Sequence, residues 1–243
     1  MLKISIPCYN AENYIYSCIS SIKQQTVGDY EAVIVNDSST DNTFEVANKA
    51  IGNDSRFQII NSKRNLGALS STVLAIENLN PNPDDILINI DGDDSLYLKS
   101  SLEIVINTYK RTNCMITYGS FKAQSGHNIM PNVGKRYPQD IINKRLYRRH
   151  EWLASHLRTY KYKLWRCIKD DDLRDTDGNY WRYAADLAIM YPLLEMSGDR
   201  QEAISDLIYF YRNDIDTNDH RLFREDQLKT AKLIRSKKPY DIL

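Results

Sequence analysis

The sequence predicts an α/β domain with a mainly parallel central sheet and flanking helices. In its first half, short apolar runs alternate with segments of 3.6-residue periodicity. The runs are apolar throughout instead of at every second position, which is typical of strands covered on both faces. The length of 243 residues allows one large core with an appendage. We therefore expect one main domain with a helical, irregular C-terminal extension.

Five strands are predicted in the first half, at residues 3–6, 31–35, 56–60, 86–90 and 115–118. Amphipathic helices are expected between several of these strands, with apolar faces at 14–22, 69–76 and 102–109. A helix between two strands favours parallel pairing, because the crossover returns the chain to the same end of the sheet.

The second half is less regular. Residues 121–147 contain Gly and Pro without a clear period, so we expect a long loop or an irregular excursion there. Helices are predicted at 151–164 and 183–196, and Pro192 is expected to kink or break the second. A strand is favoured over a helix at 203–211, and a fraying surface helix is expected within 221–243.

Composition limits the classes of partner. The chain carries 32 basic and 32 acidic residues, which gives no general attraction to nucleic acid. It has no apolar run of about 20 residues, and its N-terminus leads directly into a strand. We expect a cytoplasmic protein without a transmembrane segment; peripheral membrane association and the oligomeric state stay open. The four cysteines lack C-x-x-C spacing, which favours buried free thiols.

The segment Asp91-Gly92-Asp93-Asp94 directly follows the apolar run 86–90. Asp and Gly commonly form solvated turns, but this cluster ends a buried strand, and ligands of open α/β sheets collect beyond the carboxyl ends of the strands. Close carboxylates repel one another unless a cation or a proton compensates them. A divalent cation with oxygen ligands is therefore the favoured interpretation.

Polar residues also follow the first three strands. Tyr9 can stack on a base, whereas Asn10 can contact a ligand or cap the next helix. Asp37 offers a carboxylate to a base N–H, and Arg64 either faces a base or phosphate or is solvated. The candidate binding residues at these strand ends are Pro7, Tyr9, Asn10, Asp37, Ser39, Arg64 and Asn65.

The order I-P-C-Y-N, V-N-D-S-S-T-D-N-T, R-N-L-G and D-G-D-D resembles the GT-A glycosyltransferases of family 2, over about residues 3–120. The resemblance implies a GT-A (Rossmann-like) fold, a nucleotide-sugar donor that is usually UDP-linked, Mn²⁺ or Mg²⁺, and inverting transfer to a hydroxyl acceptor, such as a glycan. It divides the chain into a nucleotide-sugar-binding half (1–120), an acceptor-binding and catalytic half (121–220) and a helical tail (221–243).

The resemblance also implies roles for the acidic motif. Asp91, with Gly92, faces the ribose and sugar, Asp93 binds the metal, and Asp94 is a supporting ligand or lies behind the ligands. His220, in the C-terminal part, is a candidate third metal ligand. Near the base, Tyr9 would line the pocket, Asp37 would accept from uracil, Pro7 would hold the first loop, and Arg64 or Asn65 would close the site.

The catalytic base is assigned by the resemblance to Asp186, at the start of an apolar helix, although Ala185 stands where Glu usually precedes this Asp. A carboxylate at a helix N-terminus can also be only a dipole partner. The segment H-L-R-T beginning at His156 is similar to an acceptor-side motif of some family members, so His156 can touch the diphosphate or the acceptor. Arg158 can bind phosphate or form a structural salt bridge.

Three other classes compete with a glycosyltransferase. A haloacid-dehalogenase-type phosphatase needs a nucleophilic Asp followed by Thr or Val, whereas Ser95 and Leu96 follow here. A nucleotidyltransferase needs a glycine-rich, basic first loop, and residues 7–12 contain neither Gly nor Lys. A nucleotide-sugar-binding module without turnover is the non-enzymatic alternative; the intact acidic motif and a candidate base argue against it.

Overall fold

A computed structural model describes residues 1–126, 128–213 and 223–243. Its strands are β1 Leu2–Cys8, β2 Tyr30–Asn36, β3 Phe57–Asn61, β4 Ile86–Asn89, β5 Ser95–Leu96, β6 Ile116–Ser125, β7 Asn128–Asn132, β8 Arg158–Lys161 and β9 Gln201–Arg212. Its helices are α1 Ile15–Lys23, α2 Thr43–Ile51, α3 Ala68–Leu79, α4 Ser101–Thr112, α5 Gln139–Lys144, α6 Tyr162–Trp165, α7 Ala185–Ser197 and α8 Arg224–Ser236. Short 3₁₀ turns lie at Tyr147–Arg149 and Asp170–Asp172.

The strands form one sheet in the order β3-β2-β1-β4-β8-β6-β9-β5, with β7 paired to β6. The pairs β2–β3, β1–β2 and β1–β4 are parallel, so the carboxyl ends of the first four strands meet at one edge. Beyond β4 the sheet is mixed, since β8 is antiparallel to both β4 and β6 whereas β9 is parallel to β6. The predicted α/β class is confirmed.

Helices cover both faces of the sheet. Strand β4 shows this directly, because Ile86 and Ile88 pack in the core with α1, α2 and α4, whereas Leu87 packs in the core with α3 and α7. Successive side chains of a strand point to opposite faces. Burial on both faces is the physical reason why Ile86, Leu87 and Ile88 are all apolar instead of alternating with polar residues.

Two predictions for the second half are wrong. Residues 121–147 are not one long loop: β6 extends to Ser125 and forms a hairpin with β7, and α5 follows. Every residue of β7 is exposed, so this strand has no apolar pattern to reveal it. Residues 151–164 are not a helix either, because they contain β8, which lies between β4 and β6. Pairing with two distant strands decides this conformation over local periodicity.

The remaining C-terminal predictions agree with the structure more closely. The strand predicted at 203–211 is β9, and the helix predicted at 183–196 is α7. The break considered at Pro192 is wrong, because α7 continues through this residue to Ser197. The tail forms α8, whose Ile234 is buried. After α8 the chain packs along α7, where the Tyr240 amide donates to Glu195 Oε2 at 3.0 Å.

Two sequence expectations on cysteines and membrane segments can be compared with the structure. All four cysteines are free, and Cys8, Cys18 and Cys114 are buried whereas Cys167 is exposed. Among the helices of the described ranges, none is both long and apolar enough to span a bilayer.

Candidate functional site

The acidic motif begins just after β4 and passes very close to β1. The Gly92 amide donates to the Pro7 carbonyl at 2.9 Å. A Cβ on Gly92 would lie 2.4 Å from Cβ of Cys8, far inside van der Waals contact. Only glycine fits this passage, and Pro7 is the strand residue that receives it. The motif therefore needs Gly92 for backbone packing, and this packing holds Asp91 and Asp93 at the carboxyl edge of the sheet.

Arg158 brings two of the predicted site residues together. It lies on β8 opposite Asn89 of β4, and its side chain is almost fully buried. Its Nη2 is 3.8 Å from Oδ2 of Asp91, and its Nη1 is 3.6 Å from Oδ2 of Asp186. The three groups line a small cleft of about 40 Å³ between α3, β4, β8 and α7. The structural salt bridge that the sequence left open for Arg158 is thus formed with two acidic partners.

Asp91 lies at the accessible side of this arrangement, with 39% of its side chain exposed to the cleft. Burial of its carboxyl raises the pKa of Asp91; Arg158 opposes this rise and Asp186 adds to it. Asp186 lies in the first turn of α7, and its Oδ1 accepts from the Leu187 amide at 2.9 Å. The predicted base therefore shares one cleft with the first aspartate of the motif.

Asp94 is the buried member of the motif, only 1% exposed. Its Oδ2 accepts from the Tyr209 hydroxyl at 2.8 Å and its Oδ1 from the Arg212 amide at 2.8 Å. Burial, and then the charges of Asp93 and Asp91, raise the pKa of Asp94 well above its usual range. Ionisation of the Asp94 carboxyl is therefore unfavourable, and the two hydrogen bonds offset only part of this cost.

His156 lies beside these carboxylates. Asp91, Asp94 and His156 each offer a ligand atom, and the three atoms lie within 4.8 Å of one another. The imidazole is stacked between Tyr209 and Tyr211, at centroid distances of 4.9 and 5.0 Å. Burial, followed by the charge of Arg158, lowers the pKa of His156 well below 6.5. The ring is therefore neutral near pH 7 and can act as a ligand.

The two metal ligands predicted from the sequence are less fully defined. Asp93 is half-buried, and its carbonyl accepts from Nη1 of Arg212 at 2.7 Å. His220 lies outside the described residues. The metal-binding roles of Asp93 and His220 stay predictions.

The loops after β2 and β3 are joined by Asp37. Its carboxylate is 3% exposed and accepts from the amides of Leu66 at 2.9 Å and Gly67 at 2.7 Å. Nδ2 of Asn65 donates to the Asp37 carbonyl at 3.1 Å. Asp37 therefore fixes the R-N-L-G loop, and its contact with uracil stays a prediction. Arg64 is exposed, and within the described ranges it makes no ion pair.

Asn10 joins the loops after β1 and β2. Its side-chain Oδ1 accepts from the backbone amide of Thr40 at 2.8 Å, and its backbone amide donates to Oγ of Ser39 at 2.9 Å. Asn10 does not cap α1, because Tyr14 occupies the cap position. The capping role considered from the sequence is wrong. Tyr9, beside it, is 43% exposed and open to solvent.

Sequence reasoning missed three residues of the site. Tyr209 and Arg212, at the end of β9, hold Asp94. Arg182 lies against Gly67, and its Nη1 donates to the Asn65 carbonyl at 3.4 Å. Pairing of β9 with β5 is what brings Tyr209 and Arg212 to the motif, and local sequence does not reveal this pairing.

The sequence was compared with protein families and with curated proteins. The profile described as "Glycosyl transferase family 2" matches residues 3–174. Chondroitin synthase of Pasteurella multocida (strain Pm70) is 49% identical over 76 residues, which are 31% of this chain and 8% of that protein. The Escherichia coli protein named UDP-Glc:alpha-D-GlcNAc-diphosphoundecaprenol beta-1,3-glucosyltransferase WfgD is 29% identical over 148 residues, 60% of this chain and 54% of that protein.

Solved structures with the same fold cover nearly the whole chain. TarS residues 1–349 from S. aureus, in complex with UDP-GlcNAc, superpose with a TM-score of 0.70 at 20% identity, over 96% of this chain and 65% of that one. Mannosyltransferase PcManGT from Pyrobaculum calidifontis, with GDP-Man and Mn²⁺, gives 0.62 at 16% identity, over 98% and 65%. The chain spans less than two thirds of these relatives, and the structural likeness establishes its fold.

Proposed function

The chain belongs to glycosyl transferase family 2 and has the GT-A fold, and on this premise we propose that it transfers a sugar from a UDP-linked donor to a hydroxyl group of a glycan, with inversion and a divalent ion. The observation that carries the proposal is the cleft in which Arg158 lies between Asp91 and Asp186. One carboxylate there belongs to the acidic motif and the other begins a helix on the opposite wall. A donor sugar and its acceptor would bind between these two carboxylates.

The choice of a UDP-sugar is supported by the loops and by the relatives. Asp37, Asn65 and the exposed Tyr9 lie on neighbouring loops at the carboxyl edge of the parallel strands, where α/β folds bind nucleotides. TarS is described in complex with UDP-GlcNAc, and the name of WfgD gives UDP-Glc as its donor. We propose that Tyr9 stacks on the uracil and that Asp37 accepts from it.

A divalent ion fits the donor set of the motif. Asp91, Asp93 and Asp94 offer carboxylate oxygens, which suit Mn²⁺ and Mg²⁺, and the raised pKa of Asp94 indicates that negative charge there is not fully compensated. We propose that Asp93 holds the ion on the donor side, as the family pattern implies. When bound, the ion stabilises the negative charge of the departing diphosphate. The PcManGT structure, which contains Mn²⁺, supports a metal in this fold.

Asp186 is the proposed general base. Inverting displacement requires a base on the acceptor hydroxyl, opposite the leaving group. Oδ2 of Asp186 would take the hydroxyl proton while the acceptor oxygen bonds to the anomeric carbon and the bond from that carbon to the diphosphate breaks, which releases UDP. The ion pair with Arg158 orients the Asp186 carboxylate. A binding module without turnover would lack this proton transfer.

The test compares Asp186→Asn with Asp206→Asn, an exposed aspartate on β9. Donor binding is measured first, by thermal shift across UDP-, GDP- and dTDP-sugars with Mn²⁺. Transfer is then measured as UDP release with a panel of glycan acceptors. We expect Asp186→Asn to bind the UDP-sugar as the wild type does but to lose about 10² to 10⁴-fold in transfer, whereas Asp206→Asn keeps both.

Each outcome has a distinct meaning. Transfer retained by Asp186→Asn would remove Asp186 as the base. A wild type that binds the UDP-sugar but never releases UDP would support the inactive module instead. A wild type that binds a GDP- or dTDP-sugar in preference to every UDP-sugar would refute the proposed donor.

A further inference from the structure

We infer that His156 supplies a nitrogen ligand to the divalent ion, so that Asp91, Asp94 and His156 hold the ion from the inner side of the acidic motif while Asp93 holds it from the donor side. The inference rests on the proposed function only for the choice of ion. It differs from the expectation drawn from the sequence, which placed the histidine ligand in the C-terminal part at His220. His156 belongs to the segment just before β8, in the middle of the chain.

The distances suit one ion. The three ligand atoms lie within 4.8 Å of one another. Two atoms bound to the same hard cation, at about 2.1 to 2.6 Å each, lie about 3 to 5 Å apart, depending on the angle between them. The hydrogen bonds that Asp94 receives from Tyr209 and Arg212 use one lone pair on each oxygen, and each oxygen keeps another.

The imidazole itself points to a ligand. His156 is only 9% exposed, and its Nδ1 has no hydrogen-bond partner among the described residues. Buried polar atoms are nearly always satisfied, so the unpaired Nδ1 of a ring that shares a cluster with two carboxylates requires an explanation. Tyr209 and Tyr211 hold the ring between them, and Phe121 meets its edge at 5.8 Å. Aromatic packing thus fixes the ring before any ion arrives.

Charge and access agree with this assignment. Arg158 is the cation that lies within 4 Å of Asp91 in the described chain, and it is shared with Asp186. An ion would therefore compensate negative charge that the protein balances only in part. It can enter from the cleft, because the Asp91 side chain is 39% exposed there.

A nitrogen ligand makes the site discriminate between ions. Mg²⁺ prefers oxygen ligands and keeps much of its water, whereas imidazole binds transition metals well. We therefore expect Mn²⁺ to bind more tightly than Mg²⁺, and we expect this preference to depend on His156. Removal of His156 should weaken Mn²⁺ binding while leaving Mg²⁺ binding, which the carboxylates provide, nearly unchanged.

The experiment measures Mn²⁺ directly on the full chain by electron paramagnetic resonance, with and without UDP. Electron spin-echo modulation of the bound Mn²⁺ detects a coordinating ¹⁴N nucleus. His156→Gln removes the imidazole but keeps a polar side chain, and Asp91→Asn gives a second, more exposed change if His156→Gln does not fold. His150→Gln is the matched control, because the His150 ring packs against Tyr137. His220→Gln tests the C-terminal alternative.

We expect His156→Gln to raise the Kd for Mn²⁺ at least tenfold, since loss of even an outer-shell partner costs about 10 to 100-fold, and to abolish the ¹⁴N modulation. Asp91→Asn should weaken Mn²⁺ binding comparably but leave the modulation of the remaining bound ion. His150→Gln and His220→Gln should match the wild type. Any of three results would overturn the inference. The first is loss of the ¹⁴N modulation only in His220→Gln, and the second is unchanged Mn²⁺ affinity in His156→Gln or Asp91→Asn. The third is a wild type that binds no Mn²⁺ even with UDP.

The result is separable from the proposed function. If His156→Gln weakens Mn²⁺ binding in a protein that transfers no sugar, the metal site stands and the function falls. If the wild type transfers sugar with Mn²⁺ and His156→Gln binds the ion as well as the wild type, the function stands and the metal site falls.

Discussion

Replacement of Gly92 by Ala tests whether close packing against β1 positions the acidic motif. The added Cβ would lie 2.4 Å from Cβ of Cys8, 3.1 Å from the Pro7 carbonyl oxygen and 3.2 Å from Cα of Cys8. Two of these three atoms belong to the backbone of a central strand, so rotation of a side chain cannot relieve the contact. The loop must move away from β1, which also stretches the hydrogen bond from the Gly92 amide to Pro7.

The expected cost follows from these two contributions. Overpacking in a well-packed site costs about 1 to 3 kcal/mol, and loss of the hydrogen bond adds about 0.5 to 1.5 kcal/mol. We expect Gly92→Ala to lower the free energy of unfolding by about 1.5 to 4.5 kcal/mol, measured by urea denaturation. Because Asp91 and Asp93 flank the displaced residue, the variant should also lose most of the thermal shift that UDP with Mn²⁺ gives the wild type.

Two comparisons make this prediction specific. Gly28→Ala is the matched control, because its Cβ would meet only the end of Arg56 at 3.7 Å, and its effect should stay within about 0.5 kcal/mol. Cys8→Gly removes the 2.4 Å contact, so Cys8→Gly with Gly92→Ala should be less destabilised than the sum of the two single changes. A Gly92→Ala variant as stable as the wild type, with unchanged response to Mn²⁺ and UDP, would refute the packing argument.

Three further predictions concern buried charges. Arg158→Ala should lower transfer by about 10²-fold through misplacement of the two cleft carboxylates, and Arg158→Lys should recover part of it in steady-state kinetics. Glu195→Gln breaks a buried ion pair with Arg148, at 2.6 and 2.9 Å, and should cost about 3 to 5 kcal/mol in urea unfolding, unlike the exposed Asp84→Asn. Folding lowers the pKa of His156 from 6.5, so just below pH 6.5 only the unfolded chain takes up the proton. The free energy of unfolding should therefore rise with pH up to 6.5, by at most about 1.4 kcal/mol per pH unit. This rise should be less steep in His156→Gln. Full transfer activity in Arg158→Ala would contradict the first expectation, and a destabilisation by Asp84→Asn as large as that by Glu195→Gln would contradict the second. Identical pH profiles of stability in the wild type and His156→Gln would contradict the third.

Local sequence was sufficient for the first half of the fold. Strands β2 and β4 are apolar at most positions because helices cover both faces, and this pattern can be recognised without knowing the neighbours. The D-G-D-D motif was likewise found from its position after β4. Its glycine, however, was recognised only as part of a motif, since its close contact with Cys8 depends on the spacing between β1 and the loop.

The second half could not be predicted in the same way. Strand β8 has only four residues and includes Arg158, so neither length nor apolarity distinguishes it from a helix. Its conformation is decided by hydrogen bonds to β4 on one side and β6 on the other. Strand β7 is exposed throughout, and therefore has no pattern of burial to read.

The sequence by itself determined the α/β class, the parallel strands and the carboxylates that end β4. Apolar strand segments and the helical segments between them can be recognised from short stretches of sequence. Only the tertiary structure decided which residues meet those carboxylates. Insertion of β8 beside β4 brings Arg158 and His156 to Asp91 and Asp94, and pairing of β9 with β5 brings Tyr209 there. These contacts join segments that are far apart in the chain, and strand pairing depends on the partner strands more than on the propensity of either segment.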